Sequence, residues 1–191
     1  MAIEQLYEDD VTGYLARVKG SDGRANVSSR SDSRGYYVSR DRQLAFSACF
    51  SHPTSAAGQY SFYFKNTSST KDFVVSTIGL NSDLGAQIKL WRVSGTAANG
   101  VTLTPTNENL SSSVTADATC LEDGAGTAIS GLTNENLLDY ALIPVDGVRE
   151  LLADDRVRLS QNEAIAIEVD AVTSGTPLVF GRMAGFFETS V

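Results

Sequence analysis

From Leu44 onward the chain is a succession of short apolar segments separated by clusters of Gly, Asn, Asp and Ser. The clearest segment is QYSFYFKN at 59–66, where successive residues alternate with the two-residue period of a β-strand. The alternation predicts two faces, one with Tyr60, Phe62 and Phe64 and the other with Ser61, Tyr63 and Lys65. Such a pattern, bounded by turn residues, is typical of all-β proteins.

Further segments of the same kind follow at spacings near ten residues. They are 44–50, 73–80, 86–94, 138–145, 148–153, 156–160, 162–171 and 176–188. Many short strands with Gly- and Asn-rich turns indicate two packed antiparallel sheets. The predicted fold is therefore an all-β, jelly-roll-like β-sandwich over 45–191, with about four strands in each sheet. Within it, 94–137 is predicted to be a long polar loop region with one short strand near Val101 and Leu103.

The first 44 residues differ from the rest in pattern and in charge. They show no sustained period, and we predict that 1–44 is an extended N-terminal arm. Residues 17–42 carry seven basic and three acidic residues, a net charge of +4, whereas the chain from 45 onward carries eight basic and sixteen acidic residues, a net charge of −8. Opposite charges favour contact of the arm with the body of another copy or with another acidic surface.

The arm has the composition of a partner-binding segment. Arginine and tyrosine are enriched at the anchor positions of protein interfaces, because each combines a wide apolar face with directed hydrogen bonds. The predicted partner-binding residues are Arg24, Arg30, Arg34, Tyr36, Tyr37, Arg40 and Arg42. A solvated tail is the alternative interpretation of the same residues. Nucleic-acid binding is not expected, since the protein as a whole is acidic and the arm's bases are interrupted by acids.

Catalytic, metal and cofactor sites are not predicted anywhere in the chain. His52 is the single histidine and lies in FSHPTS without a nucleophile elbow, so no catalytic triad is indicated. The acidic pairs at 122–123 and 154–155 lie in polar turns, and NSDLG and LEDGAG are weak matches to calcium loops. We therefore expect no enzyme and no cofactor.

The two cysteines give no metal or disulfide pattern. Cys49 and Cys120 are far apart in sequence and lie among small or apolar residues, so both are predicted to be buried, reduced side chains. No apolar run reaches the roughly 18 residues of a membrane helix, and the N-terminus has no signal-peptide pattern. A protein made in a cytosol and without a membrane partner is the expectation.

Several segments together resemble small virion structural proteins of tailed bacteriophages, among them head decoration, or cement, proteins. These segments are GRANVSSRSDSRGYYVSRDRQLAFS, YFKNTSSTKDFVVSTIGLNSD, KLWRVSGTAANGVTLTPTNENLSS, NEAIAIEVDA and GRMAGFFE. The resemblance implies a β-sandwich on an icosahedral shell, commonly as a symmetric oligomer, with its arm across neighbouring capsid subunits. It implies the major capsid protein and other copies of this chain, as a homotrimer, for partners, and the capsid surface of the virion for location.

Two other functions remain open at this point. The same sandwich could be a component of a phage tail, baseplate or fibre. It could also be a carbohydrate-binding module, with Trp91 or Tyr63 as the aromatic platform on a polar face.

Overall fold

The computed structural model describes residues 5–8, 15–18, 20–21, 24–25, 38–53, 58–124, 128–151, 157–172 and 175–189. Contacts divide the chain into two compact units, 1–33 and 34–191. In the first unit, β1 (Gln5–Glu8) pairs antiparallel with β2 (Leu15–Val18), and β3 (Gly20–Ser21) pairs with β4 (Arg24–Ala25).

Among the described residues of the second unit, one turn of π-helix at Val38–Arg42 comes first and is followed by strands joined by turns and loops. The strands are β5 (Ala45–Pro53), β6 (Gln59–Asn66), β7 (Lys71–Ser82), β8 (Ala86–Ala98), β9 (Val101–Leu103), β10 (Thr106–Asn107), β11 (Ala118–Glu122), β12 (Ser130–Ile143), β13 (Gly147–Leu151), β14 (Val157–Leu159), β15 (Ala164–Ala171) and β16 (Leu178–Thr189). Every apolar segment that the sequence marks as a strand from Leu44 onward contains a strand among its described residues.

These strands form two antiparallel sheets of six strands each, which confirms the prediction of an all-β sandwich. Sheet I has the order β10-β5-β16-β7-β13, with β14 also paired to β7, and sheet II has the order β12-β8-β15-β6-β11-β9. Among the long strands, β5, β6, β7 and β8 alternate between the two sheets along the chain. The sheets are larger than the four strands predicted, because short strands extend their edges.

The polar stretch 94–137 contains more strand than its composition suggests. Strand β8 continues to Ala98, and β9, β10, β11 and the first half of β12 all lie within this range. The turn from β8 to β9 is Asn99–Gly100, and both residues have positive φ, 62° and 81°. Asn and Gly adopt this left-handed backbone more readily than other residues, so the pair suits the change of direction between the two strands.

The main core lies between the two sheets and is rich in phenylalanine. Phe50 stacks on Phe62 with ring centroids 4.4 Å apart, and Phe73 contacts both Phe64 and Phe187 at 4.5 and 4.9 Å. Strands β8 and β15 add Ile88, Leu90, Ile165, Ile167 and Val169, all fully buried. Burial of large side chains such as these stabilises by roughly 1.5 to 3 kcal/mol each relative to exposure, which accounts for the cohesion of the two sheets.

A β-bulge changes the predicted faces of β6. The register with β15 shifts between Ile167 and Glu168, so that Phe62 pairs with Ile167 while Tyr60 pairs with Glu168. The shift leaves Ser61 buried, with its hydroxyl donating to Ile167 O at 3.3 Å. The prediction that Tyr60 shares a face with Phe62 was therefore wrong, because an extra residue in one strand reverses the side-chain alternation beyond it.

Candidate functional site: the outer face of sheet II

Most of the predicted arm residues lie outside what the structure describes. The structure places the backbone of Arg24 in β4 and that of Arg40 in the π-helical turn, without their side chains. Residues Arg30, Arg34, Tyr36 and Tyr37 lie outside the described residues altogether. Arg42 is exposed. The arrangement of the predicted partner-binding residues therefore lies outside the described residues, and their role stays a prediction.

Of the two predicted aromatic platforms, only Trp91 remains accessible. Tyr63 is 2% exposed and packs in a second apolar cluster on the outer face of sheet II, together with Ile129 and Ala166. Its predicted position on a polar face was wrong, because Leu132 and the segment around Ile129 fold over this face and cover it. Trp91 is half-buried at the margin of the same cluster.

Beside this cluster lies a group of polar side chains, which we call the carboxylate cluster and define as Tyr60, Lys89, Trp91, Asn134, Glu168 and Asp170. Glu168 accepts from Lys89 Nζ at 2.9 Å, from Trp91 Nε1 at 2.7 Å and from Asn134 Nδ2 at 3.3 Å. Asp170 accepts from Lys89 Nζ at 2.7 Å and from the backbone N–H of Gly58. The Tyr60 hydroxyl donates to Asn134 Oδ1 at 2.6 Å.

The strand register explains how these residues meet. Glu168 and Asp170 are two residues apart on β15, so both point to the outer face, and Lys89 of β8 lies directly opposite Glu168. The bulge in β6 brings Tyr60 to the same row. The sequence signal that could have found the cluster is the outward pair of acids in AIAIEVDA beside the outward Lys89 in QIKLW.

This arrangement raises the pKa of two side chains, Lys89 and Tyr60. Hydrogen bonds to Asp170 and then to Glu168 raise the pKa of Lys89 to about 12, so its amine is a fixed cation at neutral pH. Burial, and secondarily the charge of Glu168, raise the pKa of Tyr60, whereas its hydrogen bond to Asn134 acts in the opposite direction. A lysine that is protonated at neutral pH is unsuited to act as a general base.

Strand β12 adds an apolar row to the same face. Leu137, Tyr140 and Leu142 are 50%, 44% and 57% exposed and pair with Trp91, Lys89 and Gln87 of β8. Gln87 Nε2 donates to the Tyr140 hydroxyl at 2.9 Å. We call Leu137, Tyr140 and Leu142 the β12 row. It lies on an edge strand, which is where partners commonly add to a sheet.

The outer face of sheet I has a different character. Cys49, Gly79 and Ala184 lie on its central strands, and Arg182 reaches Glu108 Oε1 at 2.8 Å. Cys49 is exposed, so the prediction that both cysteines are buried holds for Cys120 alone. Cys49 follows the inward Ala48 and therefore points outward, which its small apolar neighbours in sequence do not reveal.

One end of this face is covered by the start of the second unit. Val38 packs with Ala45, Val74 and Phe186 in a small buried cluster, and Leu44 packs against it. Leu44 is also tied to this end of the sheet through its carbonyl, which accepts from Phe187 N at 2.9 Å. The chain thus enters the sandwich along the outer face of sheet I.

Within the described ranges, no group of three or more His, Cys, Asp or Glu side chains is placed to hold a metal ion. The backbone of His52 lies in β5 opposite Val179, but its side chain is outside what the structure describes. The described part of the chain also contains no helix long and apolar enough to cross a membrane.

No protein-family model, curated protein or solved structure matches this chain. A function for it must therefore be argued from the arrangement of its own residues.

Proposed function

We propose that this chain is a non-enzymatic decoration protein of a tailed-phage head, which binds the assembled shell through its N-terminal arm and through contacts between copies. It would be made in the bacterial cytoplasm, act on the capsid surface, and need neither cofactor nor nucleic acid. The partners are the major capsid protein and other copies of this chain, as a homotrimer. Binding only the assembled shell stabilises that state by mass action, without any chemistry.

The observation that carries the proposal is the strand order. The eight main strands, in chain order, are β5, β6, β7, β8, β12, β13, β15 and β16. Counted one to eight, they run 1-8-3-6 in sheet I and 2-7-4-5 in sheet II. We interpret this order as a jelly roll, the double Greek key found in viral capsid domains and in lectins. Since one fold serves both functions, the choice between them depends on the surface.

The outer face of sheet II favours a macromolecular partner over a sugar. Its carboxylates are already engaged by Lys89, Trp91 and Asn134, whereas a sugar site needs polar atoms directed at the ligand. The exposed side chains beside them, Leu137 and Leu142, are aliphatic and lie on an edge strand. Exposed apolar rows of this kind are typical of protein interfaces.

The first experiment is the copy number of this chain in purified virions, measured by quantitative protein staining against the major capsid protein. A ratio of the same order as the capsid protein is expected for a decoration protein. A ratio about a hundredfold lower would instead identify a tail, baseplate or fibre component. Absence from virions would overturn the proposal.

The arm is tested by deleting residues 1–33, the first compact unit, and incubating the truncated chain with undecorated heads. We expect a folded β domain that no longer binds, with circular dichroism and a thermal melt as the control for folding. Full decoration by the truncated chain would remove 1–33 from the binding mechanism.

Carbohydrate binding is the second candidate, and the half-buried Trp91 is the observation that favours it. Its indole is held by the hydrogen bond to Glu168, and one aromatic face beside hydrogen-bonding groups can stack on a sugar. Glycan-array binding that is lost in Trp91→Ala would support this function, and a silent array would remove it.

A further inference from the structure

We propose that the β12 row is the docking surface for the arm of a neighbouring copy, and that residues 26–37 of that copy lie along β12. The inference rests on the proposed function in one respect, the use of the arm as a binding segment. It adds the surface that receives the arm and the copy from which the arm comes.

The free edge of β12 is the first observation. Among the described strands β12 pairs with β8 alone, so the backbone groups on its other side have no strand partner. Three register irregularities interrupt it between Ser130 and Asp139, but Asp139 to Ile143 pair regularly with Leu90 to Ala86. Five regular residues at a free edge can accept a short extended segment by backbone hydrogen bonding, a common mode of peptide binding.

The exposed side chains of β12 lie where such a segment would need them. Tyr140 and Leu142 alternate with the buried Ala141 and Ile143, so they stand on the outer face along the regular stretch. Leu137 continues the row beside Trp91. The tyrosines of an incoming arm could pack against these three side chains, since aromatic and aliphatic pairs across neighbouring strands stabilise sheets.

Complementary charge favours the arm as the segment that binds the β12 row. The chain from 45 onward has a net charge of −8, and beside the β12 row the carboxylates of Glu168 and Asp170 outnumber the single base Lys89. A second copy of β12 would bring the same acidic surface. Residues 26–37, NVSSRSDSRGYY, instead bring Arg30, Arg34 and two tyrosines against one aspartate. Complementary charge favours the arm and disfavours the symmetric pair.

The position of Val38 favours an arm that comes from another copy. Val38 is fixed on the outer face of sheet I, whereas the β12 row is on the outer face of sheet II, the opposite side of the sandwich. Twelve extended residues span about 40 Å. A domain of this size has a radius of gyration of about 15 Å, so the segment can leave its own domain. Reaching its own β12 would require it to turn around the edge of the sandwich.

The oligomeric state in solution of the chain 1–191 tests this inference. Two variants each disable one partner: the arm variant is Arg30→Ser with Arg34→Ser, Tyr36→Ser and Tyr37→Ser, and the face variant is Tyr140→Ser with Leu142→Asp. Leu110→Asp is the matched control, because Leu110 is an apolar side chain that is 88% exposed and follows β10 at the edge of sheet I, whereas β12 lies in sheet II. Sedimentation velocity at about 100 µM, in low and high salt, gives the oligomeric state.

We expect the unmodified chain and Leu110→Asp to form oligomers, which weaken at high salt as an arginine-dependent contact should. Each of the two variants alone should associate at least about tenfold more weakly, and circular dichroism should show that both remain folded. Mixing them should restore association, because the arm of the face variant can bind the intact β12 of the arm variant.

Three results would overturn the inference. They are a monomeric unmodified chain at this concentration, an arm variant that associates normally, and a mixture that stays monomeric. Association that strengthens with salt would identify apolar contact between two β12 rows and would also contradict it. The outcome is separate from the proposed function, since a chain that assembles in this way yet is absent from phage heads would keep the inference and lose the decoration role.

Discussion

The two outer faces of the sandwich are built from the same kind of strand, yet they differ in the side chains that cover them. On sheet II, Tyr63 is buried under Ile129 and Leu132, and a hydrogen-bonded carboxylate cluster lies next to it. On sheet I, the central positions carry Cys49, Gly79 and Ala184 beside one exposed ion pair. The comparison teaches that the outer face of sheet II carries a second core beside a hydrogen-bonded polar cluster, whereas the outer face of sheet I is covered at the end where Val38 packs.

The largest expected difference between the sheets is in cysteine reactivity. Cys49 is exposed on the outer face of sheet I, while Cys120 is buried in the main core, and burial raises its pKa to about 12. In the native protein we expect Cys49 to react with a thiol reagent at least about a thousandfold faster than Cys120, whose reaction requires opening of the fold. Mass spectrometry of the labelled protein measures both rates. Equal rates would mean that the core around Cys120 is open.

The next expected effect is the loss of stability on removing a charge from each face. Glu168→Ala removes a nearly buried carboxylate, leaves the N–H groups of Trp91 and Asn134 without this acceptor and leaves Lys89 with Asp170 alone. We therefore expect a loss of about 3 kcal/mol in the free energy of unfolding. Arg182→Ala is the matched change on sheet I, where the side chain is 54% exposed, and should cost less than about 1 kcal/mol. Urea unfolding measures both. Equal losses would contradict the proposed difference between the faces.

The smallest expected effect is a dependence of stability on alkaline pH. Because the pKa of Lys89 is raised from 10.5 to about 12, the stabilisation from its ion pairs is fully present below pH 10.5 and is lost as the pH rises to about 12. The raised pKa values of Tyr60 and Cys120 also make the protein less stable as the pH rises. The measurement therefore compares the unmodified protein with Lys89→Met, so that these two contributions cancel. The difference in free energy of unfolding between the two proteins should shrink between pH 10.5 and 12. A constant difference would mean that the ion pairs of Lys89 with Glu168 and Asp170 do not stabilise the folded protein.

Much of the sandwich could be predicted from local patterns. The alternation in QYSFYFKN predicts β6 with the same bounds as the observed strand, and the inward positions Ile165, Ile167 and Val169 of β15 are buried as predicted. These predictions succeed because strand formation and the side-chain period depend on neighbouring residues alone. The polar stretch 94–137 was harder to interpret, since its short strands are stabilised by pairing with distant strands such as β6 and β5.

The candidate site was less predictable than the fold. Nothing in the sequence near Glu168 shows that Lys89, Trp91 and Asn134 will converge on it, since the three come from β8 and β12. Tyr60 joins them only because of the bulge opposite Glu168, and Tyr63 is buried only because a segment far along the chain covers it. Both errors concern contacts between strands, on which the period within one strand carries no information.

The sequence by itself determined the all-β class, the position of the main strands, the inward faces of most of them and the contrast in charge between residues 17–42 and the chain from 45 onward. Only the tertiary structure decided the order of the strands in the two sheets, the register that assembles the carboxylate cluster, and which outer face is covered. The physical reason is the range of the interactions: turn chemistry and alternation act between neighbours in the chain, whereas pairing, bulges and burial are settled by residues that meet only after the chain has folded.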